Sequence, residues 1–253
     1  MKIPEDFFPP ANYLANKIIL VTGAGDGIGR VAAKTFAAQG ATVILVGRTL
    51  AKLERVYDEI EAAGHPQAAI FPINFESAKE LQFTEMCDAI FQEFDHLHGI
   101  LHNAAELGQS TPLANYAADV WSRCLQVNVT APFLLTKALL PLMAKADHAS
   151  ILFTGSSVGY KGRAYWGAYA ASKAAQENLM QTFADELEGT TQIRANSINP
   201  GATRTKMRAA AYPGEDPETV KTADDLMRDY LYLLGDASIG ISGQQFESSF
   251  KKI

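Results

Sequence analysis

Short apolar runs rich in β-branched side chains alternate along this chain with longer segments of helical period, and that alternation confines it to a parallel sheet covered by helices. The runs are KIILVT (17–22), ATVILVG (41–47), AAIFPI (68–73), GILHNA (99–104), SILFTG (150–155) and IRANSI (193–198). Their near-continuous apolarity suits strands buried on both faces, as helices on either side of a parallel sheet would make them. Between them, residues 27–39, 49–63, 77–94, 116–145 and 167–188 carry apolar residues three and four apart, with breaks at Gly40, Gly64, Gly99 and Gly189. The expectation is a Rossmann-like α/β fold, doubly wound, with seven parallel strands, the last and shortest near QQFES. No linker-like stretch divides the 253 residues, so residues 1–253 read as a single domain with an N-terminal extension over 1–16. Residues 202–225 are polar, irregular and proline-bearing, and read as a substrate flap.

The net charge of -6 is spread along the chain, so no basic surface for nucleic acid or anionic lipid stands out. No run of eighteen apolar residues suggests a membrane span, and the first residues lack the charged start and apolar core of a signal peptide. Two cysteines, Cys87 and Cys124, lie within helical patterns and imply no disulfide framework. Together these point to a cytoplasmic protein. His96, His98 and His102 straddle the entry to a strand in directions unsuited to joint ligation, so no metal site is expected.

The stretch VTGAGDGIGR sets Gly23, Gly25, Gly27 and Gly29 between the first strand and the first helix. Glycines there let the backbone turn tightly and approach an anion, while free N–H groups at the helix start favour a pyrophosphate. A dinucleotide is the expected ligand. At the end of the second strand, where an acid would hold the free 2'-hydroxyl of NAD, the chain has Gly47, Arg48 and Thr49. A guanidinium beside a small residue suits a 2'-phosphate, so NADP(H) is preferred and NAD(H) stays possible. Asp26, inside the glycine loop, adds no positive charge, which leaves 2'-phosphate recognition to Arg48 with help from Thr49.

In RAYWGAYAASK, Tyr165 and Tyr169 lie four residues apart, but only Tyr169 has a lysine, Lys173, one turn further on. A free phenol, with a pKa of about 10, is a poor acid or base at neutral pH, and a nearby cation lowers that pKa toward the working range. Tyr169 is therefore the candidate acid/base, and Tyr165 is expected to line or support the site.

The glycine pattern after the first strand, Asn103-Ala104-Ala105 after the fourth, the serine pair after the fifth, Y-x-x-x-K on the next helix and Asn199-Pro200-Gly201 after the sixth resemble the short-chain dehydrogenase/reductase family. The resemblance covers about residues 15–248 and is nearest to the YciK-type oxidoreductases of bacteria, through GRAYWGAYAASK and NPGATRTKMRA. It implies that Ser156 hydrogen-bonds the substrate oxygen, Tyr169 moves the proton, and Lys173 lowers the tyrosine pKa and holds the nicotinamide ribose. It further implies that the backbone carbonyl of Asn128 positions a water on the lysine. Cofactor contacts are implied for the glycine loop with Asp26 and Ile28, for Arg48, Thr49, Asn74, Phe75, Asn103, Ala104 and Ala105, and for Pro200, Gly201, Thr203 and Thr205. Two positions depart from the family pattern: Asn74 stands where an aspartate is usual, and Ala105 adds a methyl where glycine is usual.

The resemblance implies an oxidoreductase moving hydride between nicotinamide and a carbonyl or alcohol carbon of a small molecule, in a homodimer or homotetramer. A non-catalytic NADP(H)-binding regulatory or scaffold protein is the alternative, and lyase or isomerase chemistry on the same scaffold is a third. An apolar pocket shaped by Tyr165, Trp166, Leu107 and the flap is expected to receive the substrate.

Overall fold

The computed structural model describes residues 1–248. Seven parallel strands form one sheet: β1 (Ile18–Thr22), β2 (Thr42–Gly47), β3 (Ala69–Pro72), β4 (Gly99–His102), β5 (Ala149–Thr154), β6 (Ile193–Asn199) and β7 (Gln245–Glu247). Their order is β3-β2-β1-β4-β5-β6-β7, so the winding reverses between β1 and β4, where the strand ends diverge and leave a crevice. The expected doubly wound Rossmann-like fold is what the chain adopts.

The helices are α1 (Gly27–Ala38), α2 (Leu50–Ala62), α3 (Glu80–Phe94), α4 (Ala118–Leu125), α5 (Ala131–Met143), α6 (Ser157–Tyr160), α7 (Gly167–Leu187), α8 (Lys206–Ala211) and α9 (Met227–Leu234). Asp26 caps α1, its Oδ1 accepting from the Gly27 N–H at 2.9 Å. One apolar layer joins Leu20, Ile44, Phe153 and Ala195 of the sheet to Phe83, Leu135, Leu139, Met180 and Phe183 of α3, α5 and α7. The other joins Ile19, Val21, Val43 and Leu45 to Phe36, Val56 and Tyr230 of α1, α2 and α9. Each large side chain removed from water here contributes about 1.5 to 3 kcal/mol, so strand order and helix placement are fixed by the same residues. The N-terminal segment joins the second layer through Ile3 and Leu14, both buried.

Three expectations are revised. The segment 116–145 is not one regular helix: α4 and α5 are joined through a π-turn at Gln126–Thr130. The cause lies in Pro132, which has no N–H to give the Asn128 carbonyl four residues back and whose ring crowds that carbonyl. The flap contains a short helix, α8, whose N-terminus is capped by Thr205 Oγ1 accepting from the Arg208 N–H at 3.1 Å. A further helix, α9, covers the β5 side of the sheet where sequence periodicity offered no helix. The run Ala118–Met143 is long and apolar enough to cross a membrane by length and composition, yet it packs on α3, α7 and β4.

Candidate active site

The crevice at the winding reversal is a groove of about 540 Å3 running from the glycine loop to the flap. At one end the loop backbone is held open by its glycines. Gly23 and Gly27 have φ of +69° and +53°, in the left-handed region that favours glycine. Gly29 does not line the groove; it is buried behind the loop, where a Cβ would collide with the Gly23 carbonyl and the Asn103 side chain. There it allows close packing of helix on strand. Thr22 staples the loop to the neighbouring strand: its Oγ1 accepts from the N–H groups of Asn103 and Ala104 at 2.9 and 3.0 Å and donates to the Leu101 carbonyl at 3.2 Å. Asn103 returns the bond, Nδ2 donating to the Thr22 carbonyl at 3.3 Å. A cradle of free backbone with no room for side chains is what a pyrophosphate needs, so these residues fit a dinucleotide.

Gly23, Gly25, Asp26, Gly27 and Ile28 line this end with Arg48, Thr49, Asn74, Phe75, Asn103, Ala104 and Ala105. The charge pattern differs from the expectation. Arg48 is two-thirds exposed and paired with Glu76 at 3.0 Å. Two lysines converge on Asp26 instead, Lys52 at 2.7 Å and Lys206 at 3.0 Å, and hold its carboxyl down to about 2. Lys52 lies along Gly25, one helical turn after Arg48. Lys52 and Lys206 thus place two further positive charges beside Asp26 at this end of the groove. Asn74 Oδ1 accepts from the Glu76 N–H at 3.1 Å, which keeps the turn. The Ala105 methyl packs in a small cluster with Cys124, Val158 and Tyr169.

At the other end, Ser156, Tyr169 and Lys173 line the groove with Pro200, Gly201, Thr203 and Thr205. Ser156 follows β5, Tyr169 and Lys173 share one face of α7, and the last four residues follow β6. Tyr169 is 8% exposed; burial pushes its phenol up to about 12 against the pull of a hydrogen bond with Ser156. Lys173 is buried too, which brings its ammonium down to about 8 while Glu177 supports the charge. Its Nζ lies 5.7 Å from the Tyr169 ring centre and donates to the Thr154 carbonyl at 2.6 Å and to Gln176 Oε1 at 2.9 Å. In the chain alone desolvation sets the direction of the Tyr169 shift, and Lys173 bonds to Thr154 and Gln176, not to the phenol.

Asn128 lies behind the groove and is wholly buried. Its Oδ1 accepts from the Glu106 N–H at 2.7 Å and its Nδ2 donates to the Glu106 carbonyl and to Ser172 Oγ, both at 2.9 Å. Its carbonyl accepts from Gln176 Nε2 at 3.2 Å, so a side chain makes the bridge expected of a water.

Tyr165 is 57% exposed with φ of +72° and stands outside the groove. Trp166 takes the lining position, its ring 5.7 Å from that of Tyr169 and 5.9 Å from that of Tyr212 in the flap. Leu107, Val158 and Met207 complete an apolar wall, and Arg163 donates to the Tyr212 hydroxyl at 3.2 Å on the rim. Of the histidines, His98 Nδ1 accepts from the Ile18 N–H at 3.0 Å, and His102 shares a 2.8 Å hydrogen bond with Thr136; both serve the core.

A doubly wound sheet, a glycine cradle at its switch point and a Tyr169–Lys173 pair facing the same groove define a nucleotide-dependent oxidoreductase scaffold. The short chain dehydrogenase family matches residues 17–216, and the chain belongs to that family. It is 47% identical over 240 residues to the uncharacterised oxidoreductase YciK of Escherichia coli, covering 95% of this chain and 94% of that protein. A short chain dehydrogenase structure from Pseudomonas syringae superposes with a TM-score of 0.94 at 52% identity, covering 96% of this chain and 98% of that one. One from Shigella flexneri, complexed with NADP, gives a TM-score of 0.92 at 47% identity, covering 94% and 99%.

Proposed function

We propose that this protein is an NADP(H)-dependent oxidoreductase that interconverts the carbonyl and hydroxyl groups of a small molecule, with Tyr169 as acid/base. The observation that carries this is the pairing of a buried phenol and a buried lysine on one face of α7, opening on the same groove as the glycine cradle. The complex of the Shigella flexneri relative with NADP and the lysines around Asp26 support the phosphorylated cofactor. The glycine loop and Thr22 would hold its pyrophosphate end and Pro200, Gly201 and Thr205 its nicotinamide end; when bound it supplies the hydride.

The chain's own part is the proton. In reduction, the Tyr169 O–H bond breaks as a new O–H bond forms on the substrate oxygen, which Ser156 holds by a hydrogen bond. Oxidation runs the same transfer backward, with Tyr169 accepting. A phenol near 12 stays protonated at neutral pH and so cannot accept the alcohol's proton; the lowering of its pKa falls to Lys173 together with the positive ring of the oxidised cofactor. Trp166, Leu107 and Met207 exclude water and receive an apolar substrate body.

The test is a screen of aldehydes, ketones and alcohols with NADPH, with Tyr169→Phe as control. Turnover in the wild type should fall at least about a thousandfold in the variant while NADPH affinity stays within about twofold. Equal turnover in the variant defeats the assignment; cofactor binding without turnover on any substrate favours the non-catalytic alternative. The half-buried run Ala118–Met143 and the alanine-rich α7 support association into a homodimer or homotetramer, which light scattering reads directly.

A further inference from the structure

Gln176 is 1% exposed and engaged at both ends of its carboxamide: Nε2 donates to the Asn128 carbonyl at 3.2 Å and Oε1 accepts from Lys173 Nζ at 2.9 Å. The Asn128 carbonyl is open to it because Pro132 brings no N–H to that turn, and the π-turn swings the carbonyl toward α7. Thr154 supplies a second acceptor for Lys173, from the backbone of β5. Among the described residues, Gln176 thus provides the side chain that bonds the lysine.

We propose that Gln176 is a positioning residue for the proton transfer: it ties Lys173 to the Asn128 carbonyl through a fixed amide, keeping the ammonium at its distance of 5.7 Å from the Tyr169 ring centre. This rests on the reading of Tyr169 as acid/base. A carboxamide does not hand on protons as a water does, since its N–H is not acidic and its nitrogen accepts no proton near neutral pH. The direct bridge from Lys173 to the Asn128 carbonyl therefore holds the ammonium in place and does not itself pass a proton on.

The groups that set the charge around this pair are few. Tyr169 and Glu177 face Lys173 from α7, Cys124 from α4 and His102 from β4, while Tyr230 of α9 faces Tyr169. Burial keeps His102 neutral, so its ring adds no charge near neutral pH. Removing the Gln176 acceptor takes away one of the two bonds that stabilise the ammonium, weakens the cation beside the phenol, and moves the Tyr169 ionisation to higher pH.

Two substitutions separate this role from simple packing. Gln176→Leu keeps the volume and loses both hydrogen bonds; Gln176→Ala loses volume but leaves room for a water between Asn128 O and Lys173 Nζ. A packing role makes the alanine variant the worse of the two, and a positioning role reverses that order. Phenolate absorbance of the NADP+-saturated protein is titrated, and the Tyr169→Phe curve is subtracted to isolate Tyr169 from the other eight of the nine tyrosines. The expected midpoint rises by about one pH unit in Gln176→Leu and by under about 0.3 in Gln176→Ala. With a carbonyl substrate from the screen, kcat should fall about tenfold in the leucine variant with KM within about twofold, and by less than about threefold in the alanine variant. Gln176→Met, of similar length, replaces the leucine variant if thermal melts show that variant unfolded. Unchanged midpoints, or greater damage from alanine than from leucine or methionine, overturn the proposal. The titration needs no substrate, so a Tyr169→Phe protein that still turns over defeats the acid/base reading separately.

Discussion

Replacing Asp26 by asparagine should tighten NADPH binding without helping NADH. Asparagine keeps the cap on α1, because its side-chain oxygen can still accept from the Gly27 N–H, and it removes one negative charge. Asp26 is held near 2 and is charged at any working pH, so the substitution acts as a permanent change of charge. It frees Lys52 and Lys206, now bonded to Asp26 at 2.7 and 3.0 Å, and takes away the acid that would repel a phosphate. Two unit charges about 4 Å apart in a water-like surrounding interact by about 1 kcal/mol. A phosphate monoester carries nearly two charges, giving about 1.5 to 2 kcal/mol, and physiological salt trims this to about 1 kcal/mol. The expected gain is about fivefold in NADPH affinity, with NADH within about 1.5-fold. The lost ion pairs are surface pairs, so stability should fall by less than about 1 kcal/mol in all. Paired calorimetric titrations with NADPH and NADH, at about 0.05 M and about 0.5 M salt, make the measurement, and the NADPH gain should shrink at the higher salt. Lys52→Met should move NADPH the other way. Weaker NADPH binding in Asp26→Asn, or an equal gain for NADH, refutes the placement of the 2'-phosphate beside these lysines.

Gly29→Ala should weaken NADPH binding more than about tenfold and lower the melting temperature, because its methyl meets the Gly23 carbonyl and forces the loop to move. His102 is held down to about 3 by burial, so as pH falls below about 6.5 the unfolded chain takes a proton that the folded chain refuses. Stability should therefore drop by about 2 kcal/mol per such histidine between pH 7 and pH 5, and urea titrations of His102→Gln should show a shallower drop. Arg194→Met should cost about 3 kcal/mol in urea unfolding, since the guanidinium, 6% exposed, donates to the Gly235 carbonyl at 2.7 Å and to Ser238 Oγ at 3.1 Å, and both would be left without it.

Strands β1, β2, β5 and β6 were legible to within a residue or two because burial on both faces writes itself as an unbroken β-branched run. GILHNA ran past the end of β4 because Asn103 and Ala104 leave the sheet to bond Thr22, a partner 81 and 82 residues away in sequence. The π-turn was overlooked although Pro132 advertised it: helical period alone does not register a missing N–H. α9 was not legible because its eight residues are too short a window for a helical period to stand out. Tyr169 and Lys173 were legible as a pair because their spacing is one helical turn, whereas Ser156 entered only through the family resemblance. Gln176 and Lys52 were not, since each acts through a bond to a distant segment, Gln176 to Asn128 and Lys52 to Asp26.

Residues 161–165, all exposed, form a bridge between α6 and α7 whose last joint, Tyr165, stands in the left-handed region. Both flanking helices are anchored, α6 through buried Val158 and α7 through Ala168 and Tyr169. A segment with so little invested in the core accepts changes of sequence at small cost, and Arg163 on the groove rim belongs to it. Selection can thus rewrite what approaches the groove while the reacting phenol stays still, so new substrate preferences can arise by drift in a handful of surface codons.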